Sequence, residues 1–396
     1  MKHIIIIGAG QAGAAAAINL REKGFAGAIT LIGSEIHPPY ERPELSKAYA
    51  LANVEFSKLI ILDEEAAKQR DIDLQLGKTV TRIDREQRCI VVDGKTLSYS
   101  TLILATGGCA KLLDLPEKLA EKSLTIRTRE DADALSRHLK TVRNVTVIGG
   151  GWLGLEAAAT CRKTGAIVDV VEASERLSAR VAPSWLSNEL SALHKDNGVN
   201  LHLGTLPEFL ADGTIRIGDA ECHPDLVIQA IGMTANDGIA QEVGLNSNDG
   251  IIVNGRCQTS DPEIYAIGDC ARFSNRCDMR RESWQNANQS AEIAACSILD
   301  QPLPNEEPDW FWSNQFDANI QQLGTCQDGM TLVERADPSK NSKTCFFLQD
   351  DILQGCIAIN AARDIGMSKH LISSHSKMDI TALSDPANPV RSCVMA

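Results

Sequence analysis

Two short glycine patterns, each set between an apolar run and a run of helix formers, constrain this chain more than any other feature. The first is Gly8-Ala9-Gly10-Gln11-Ala12-Gly13, with His3–Ile7 before it and residues 14–23 after it, closed by Gly24. A short β-branched apolar run reads as a strand buried on both faces. The alanine-rich run reads as a helix ended by glycine, and Ala28–Ile32 as the next strand. The arrangement recurs: Asn144–Ile148, then Gly149-Gly150-Gly151-Trp152-Leu153-Gly154, a helix over 155–164 closed by Gly165, and a strand over 167–171. Each unit is strand, helix, strand, which predicts two parallel sheets and an α/β fold. In such a turn the first glycine permits the sharp bend and the second lets a pyrophosphate approach the backbone. The third brings helix against strand, and the helix N-terminus favours the anion. Glu35 and Glu172 follow the second strand of each unit, where an acid reaches an adenosine ribose.

Further strands are expected at 99–105, 226–231 and 264–267, and an antiparallel hairpin at 343–348 and Ile352–Ile359, with a proline-containing linker over 301–308. One strand ends in Ala105-Thr106-Gly107. Another ends in Tyr265-Ala266-Ile267-Gly268-Asp269. A Gly-Asp pair alone is an ordinary turn. Beside two dinucleotide fingerprints it reads differently: the glycine allows close approach, and the carboxylate can accept hydrogen bonds from a polyol such as the ribityl chain of a flavin. One of the two dinucleotides is therefore expected to be a flavin.

These motifs together resemble the two-dinucleotide-domain flavoprotein reductases. Within them, residues 38–47 (PPYERPELSK), 231–237 (IGMTAND), Glu282-Ser283-Trp284, Trp310-Phe311-Trp312-Ser313 and residues 360–364 (NAARD) are similar to the ferredoxin reductases of bacterial oxygenase systems. Putidaredoxin and rubredoxin reductases share the likeness, and the reductase components of aromatic-ring dioxygenases of phenylpropionate or biphenyl type carry it most closely. The resemblance implies two Rossmann-like domains of glutathione-reductase type plus a C-terminal α+β domain. It places a discontinuous FAD-binding domain at 1–108 and 236–308, an NAD-binding domain at 109–235 and a C-terminal reductase domain at 309–396. It implies FAD and NADH as cofactors, a two-iron two-sulfur ferredoxin as acceptor, and a Rieske-type oxygenase served indirectly. The alternatives are a rubredoxin, a ferredoxin serving a cytochrome-type monooxygenase, or a flavin-bearing NADH sensor like the apoptosis-inducing-factor relatives.

By the same resemblance, Gly8, Gly10, Gly13, Glu35, Arg42, Lys47, Ala105, Thr106, Gly107, Gly268, Asp269 and Trp284 hold FAD. Gly149, Gly151, Gly154, Glu156 and Glu172 hold NAD, and Lys47, Glu156 and Trp312 stand at the reaction. A cation such as Lys47 would stabilise the negative charge of a reduced flavin; on its own it reads as a surface lysine. On its own Glu156 reads as a first-turn acid complementing the helix dipole; the resemblance implies instead that it meets Lys47 near the nicotinamide ring. Trp284, Trp310 and Trp312 are three of five tryptophans in a chain with 4% aromatics, concentrated either for interdomain packing or beside the acceptor surface. Arg272, Arg276, Arg280 and Arg281 form a basic cluster, an ordinary solvated loop or a docking patch for an acidic ferredoxin. Glu172 favours NADH over NADPH, with Arg176 and Arg180 near enough to tolerate a ribose phosphate.

Composition excludes other classes. With 39 basic against 52 acidic residues the net charge is −13, a poor match for nucleic acid or anionic membrane. Residues 2–17 superficially mimic a secretory signal, but Gln11 and three glycines interrupt it. No run reaches about 18 apolar residues, so a cytoplasmic monomer or homodimer is expected. Twelve cysteines without a Cys-x-x-Cys read as reduced thiols, with no metal site at Cys109, Cys270 or Cys277. By the resemblance, disulfide reductases of the superfamily carry a redox-active cysteine pair near the start of the flavin domain, and the peroxidase or oxidase branch a single cysteine. Ser46-Lys47 stands where that single cysteine would be expected, and the first cysteine is Cys89. Electrons would then leave a flavin directly.

Overall fold

The computed structural model describes residues 2–274 and 280–395. The chain forms two compact units. The first comprises Met1–Pro43, Glu55–Cys109 and Met233–Asn305, and the second Glu44–Val54, Ala110–Gly232 and Glu306–Ala396. Residues 110–232 of the expected nucleotide-binding segment 109–235 and the C-terminal segment thus fall in one unit. Residues 44–54, expected with the first strand, also belong there.

In the first unit, five parallel strands lie in the order Ile264–Ala266, Thr101–Leu104, His3–Ile7, Ala28–Ile32 and Ile72–Gln75. Ile4, Ile5, Ile6, Leu31, Leu102, Ile103 and Leu104 are essentially inaccessible to solvent, as expected of a parallel sheet covered on both faces. Its first helix, Gln11–Glu22, packs against Trp284–Ile298. Small residues make this close: Ala14, Ala16, Ala17, Ala291, Ala294 and Ala295 are fully buried. Gln11 donates to Asn288 at 3.0 Å, and Lys23 pairs with Glu292 at 3.0 Å.

The second unit repeats the plan. Its five parallel strands run Val199–Leu203, Ile167–Glu172, Asn144–Ile148, Leu226–Gln229 and Ser123–Leu124. It also holds a five-stranded antiparallel sheet in the order Trp310–Gln315, Ala318–Gly324, Ile352–Ile359, Ser342–Gln349 and Thr331–Asp337. The helix Ala362–Ser373 packs on that sheet. The expected hairpin is its central pair, so the C-terminal part is α+β. Among the described residues no helix is long and apolar enough to cross a membrane.

Both fingerprint helices begin earlier than the sequence pattern predicts, at Gln11 and Trp152 rather than after the third glycine. Gly13 and Gly154 therefore sit inside helices, where glycine is a poor residue. The compensation is steric. A Cβ on Gly13 would lie 1.9 Å from the carbonyl oxygen of Gly8, and one on Gly154 2.0 Å from that of Gly149. Only glycine lets the helix come this close to the turn that precedes it. We expect Gly13→Ala and Gly154→Ala each to cost about 3 kcal/mol, read as a lower urea midpoint; unchanged midpoints would show that the backbone yields without strain.

Candidate functional site

Each unit carries a cradle of the same construction. Gly8 has φ +113°, and a Cβ there would stand 2.1 Å from the Ala105 oxygen on the neighbouring strand's end. Gly149 has φ +108°, with the Ala230 oxygen at 2.4 Å from the same imagined atom. The middle glycines differ: around Gly10 and Gly151 a Cβ would meet nothing within 4 Å. Both are extended N-caps, and neither helix has a side-chain cap. Open space over a bare backbone, at a helix start whose N–H groups lack side-chain partners, suits a diphosphate. The residues present therefore fit two dinucleotides.

In the first unit Gly268 packs against the helix that leaves this turn. Gly268 has φ +68°, and a Cβ there would come 2.8 Å from Cβ of Ala12 on the cradle helix. Its N–H donates to Ser290 Oγ at 2.9 Å, and its carbonyl accepts from Asn286 at 3.4 Å. Asp269 follows at the same end of the sheet, and its carbonyl accepts from Arg280 at 2.9 Å. Trp284 begins the helix capped by Ser283. Thr106 donates to the Asn236 carbonyl at 2.6 Å, and Asn236 N–H donates to Gly107 at 3.0 Å. Glu35 accepts from Arg42 Nη2 at 2.5 Å and from the Tyr40 hydroxyl at 2.6 Å. Both oxygens of the acid are thus engaged by its own loop.

Glu172 of the second unit is instead tied to its cradle. Its carboxylate accepts from Gly150 N–H at 2.7 Å and Ser174 N–H at 2.8 Å. Arg176, which the sequence left available to a ribose phosphate, is committed elsewhere. It donates to the Ala182 carbonyl at 2.5 Å, to Ser187 Oγ at 2.9 Å and to the Ala179 carbonyl at 3.2 Å. Arg180 remains exposed.

The second unit also brings together residues from three distant segments. Lys47 Nζ lies 3.0 Å from Glu156 Oε1, with the two side chains only 9% and 8% exposed. Ser46 Oγ donates to Glu156 Oε2 at 2.6 Å, and Ser313 Oγ to Oε1 at 2.6 Å. Thr160 ties the Ser46 carbonyl to the helix at 2.7 Å, and Tyr49 reaches Asp133 at 2.7 Å. These bonds explain why 44–54 belongs with this unit. Sequence reasoning paired Lys47 with Glu156 by resemblance; it missed Ser46, Ser313, Gln315 and His194. Only the alternation of Ser313 and Gln315 on one strand face offered a signal. Trp312, beside Ser313, stacks on Trp310 with centroids 4.8 Å apart, while Trp152 packs on Phe311 at 4.7 Å.

Two arginines of the basic cluster, Arg272 and Arg280, are engaged internally. Arg280 has a side chain only 4% exposed and pairs with Asp249 and Glu282. Arg272 donates to the Asn248 carbonyl at 2.7 Å, and Arg276 lies outside the described residues, as does Cys277.

His194 is fully buried, with Nε2 2.8 Å from Gln315 Oε1. Burial pushes its imidazole below the ordinary histidine range, against the Gln315 hydrogen bond that works the other way. The unfolded chain then binds a proton that the folded one refuses. Stability is complete above about pH 6.5 and falls as pH drops toward the depressed folded value. In urea unfolding from pH 8 to 5, His194→Gln should flatten the native decline by roughly 1.4 kcal/mol per pH unit over that window. An identical slope would place the acid sensitivity elsewhere.

The geometry has independent counterparts. The pyridine nucleotide-disulphide oxidoreductase family matches residues 2–291, and the reductase C-terminal family matches residues 310–394. The chain is 36% identical to the 3-phenylpropionate/cinnamic acid dioxygenase ferredoxin–NAD(+) reductase component of Photorhabdus laumondii, over 94% of this chain and 97% of that protein. It is 35% identical to the ferredoxin–NAD(+) reductase component of the p-cumate 2,3-dioxygenase system of Pseudomonas putida, over 100% and 99%. The crystal structure of the ferredoxin reductase for the CYP199A2 system from Rhodopseudomonas palustris superposes with a TM-score of 0.92 at 32% identity, covering all of both chains. The twin cradles and the full-length match lead to one conclusion: this chain belongs to the pyridine nucleotide-disulphide oxidoreductase family.

Proposed function

We propose that this protein is an FAD-dependent NADH:ferredoxin oxidoreductase that supplies electrons to a Rieske-type aromatic-ring-hydroxylating dioxygenase. The observation that carries the reading is the repeated cradle, one in each unit, with an open middle glycine at Gly10 and again at Gly151. Two dinucleotides in one chain suit a donor and a relay. Bound FAD would supply the conversion between a two-electron hydride donor and a one-electron iron–sulfur acceptor. Overall, NADH and two oxidised ferredoxins give NAD⁺, a proton and two reduced ferredoxins.

The chain's own residues supply binding and charge. In this reading Gly8, Gly10 and Gly13 seat the FAD pyrophosphate, and Glu35 and Asp269 stand at its ribose and ribityl hydroxyls. Arg42, Thr106 and Trp284 complete the flavin contacts. Gly149, Gly151 and Gly154 seat NAD, and Lys47, oriented by Glu156, offsets the negative charge that reduction places on the ring. Trp312 borders the same region. No thiol stands at positions 46 and 47, so the reading routes electrons straight to the acceptor. NADH as the donor implies a cytoplasmic setting.

A second reading ends the chain at a cytochrome-type monooxygenase, favoured by the likeness to the reductase of the CYP199A2 system. The chemistry up to the ferredoxin is the same.

NADH-driven cytochrome c reduction should be strongly stimulated by a two-iron ferredoxin from a dioxygenase system. No stimulation by any member of a panel of two-iron ferredoxins, with flavin that NADH reduces, would contradict the proposal. Glu172 and the commitment of Arg176 predict kcat/KM for NADH at least about ten-fold above NADPH. Equal values would remove that part of the reading.

A further inference from the structure

The carboxylate of Glu156 is the end of a longer buried string. Carboxylates only accept, so Ser313 places its single proton on Glu156 Oε1 at 2.6 Å. Its oxygen then accepts from Gln315 Nε2 at 3.1 Å. Gln315 Oε1 is left as an acceptor and receives a hydrogen bond from His194 Nε2–H at 2.8 Å. The donors therefore run one way, from His194 to Glu156, and His194 must be the neutral Nε2–H tautomer. Its Nδ1 is buried with no partner among the described residues.

Ser313, Gln315 and His194 are each 0% exposed. Packing alone gives no reason for this. Leucine-like side chains would join the helix Ser184–Asp196 to the strand Trp310–Gln315 without an unpaired buried nitrogen. The string is also no proton wire, because an amide in its middle does not pass a proton on. What remains is orientation: Glu156 receives Lys47 and Ser313 on one oxygen and Ser46 on the other.

We propose that Ser313, held by Gln315 and His194, is a positioning residue that fixes Glu156 and through it the Lys47 ammonium. The C-terminal sheet thereby sets where the cation stands. This rests on the reading that Lys47 acts beside the flavin, and the test separates the two.

Flavin reduction by NADH is followed anaerobically in the native holoprotein, Lys47→Ala, Ser313→Ala, Ser313→Thr and the Lys47→Ala/Ser313→Ala double variant. Lys47→Ala should slow the step. Ser313→Ala should slow it about ten-fold at saturating NADH, with half-saturation little changed. Threonine should restore it, and the double variant should be no slower than Lys47→Ala. Independently of turnover, ¹⁵N-histidine spectra of the native protein should show His194 neutral and protonated on Nε2 at pH 7. A native rate in Ser313→Ala while Lys47→Ala is slow, additive losses in the double variant, or a His194 proton on Nδ1 would overturn the proposal. A native rate in Lys47→Ala would instead overturn the reading beneath it. The spectra decide the matter even if Ser313→Ala does not accumulate.

Discussion

A helix that touches the carbonyl of its own entry turn is the constraint on which both cradles depend. At Gly13 and Gly154 an added carbon would overlap the oxygens of Gly8 and Gly149. That overlap is incompatible with any other residue unless the helix moves away. The contact aims the helix start, and its N–H groups, at the space above Gly10 or Gly151. Gly8 and Gly149 meet a second constraint, with positive φ and a strand-end carbonyl close by. Three glycines thus have three separate causes, and the middle one concerns a ligand rather than the fold.

The other organising feature is electrostatic. Lys47 and Glu156 are both buried, and such a pair is tolerable only when its remaining donors and acceptors are met. Ser46 and Ser313 meet those of the carboxylate. The pair joins residues 44–54, the fingerprint helix and the C-terminal sheet through one carboxyl group. The helix that presents the second unit's cradle thus also carries the acid paired with Lys47.

Much of the fold was legible because parallel strands buried on both faces are written as unbroken apolar runs, as in His3–Ile7 and Asn144–Ile148. Helix starts were harder. Glycine inside a helix opposes propensity, so Gly13 and Gly154 hid the first turn, and tertiary contact decided it. The glycines and acids could be located in sequence, but not where Glu35 and Glu172 direct their oxygens, since backbone N–H groups and neighbouring side chains decide that. Arg280 and Arg176 looked like free charges. Their use as internal braces depends on carbonyls and acids that no spacing rule brings near. The buried string from His194 to Glu156 joins three distant segments, and polar residues give no periodic signal for such a meeting.

In the proposed reading two cradles of one design hold different dinucleotides, FAD at Gly10 and NAD at Gly151. The most direct measurement compares Gly10→Ala with Gly151→Ala, since neither added methyl meets protein and both should fold. We expect Gly10→Ala to purify with little or no flavin. Gly151→Ala should purify yellow, with its flavin reduced by dithionite but only weakly by NADH. Full flavin content in Gly10→Ala, or undiminished reduction by NADH in Gly151→Ala, would contradict the assignment.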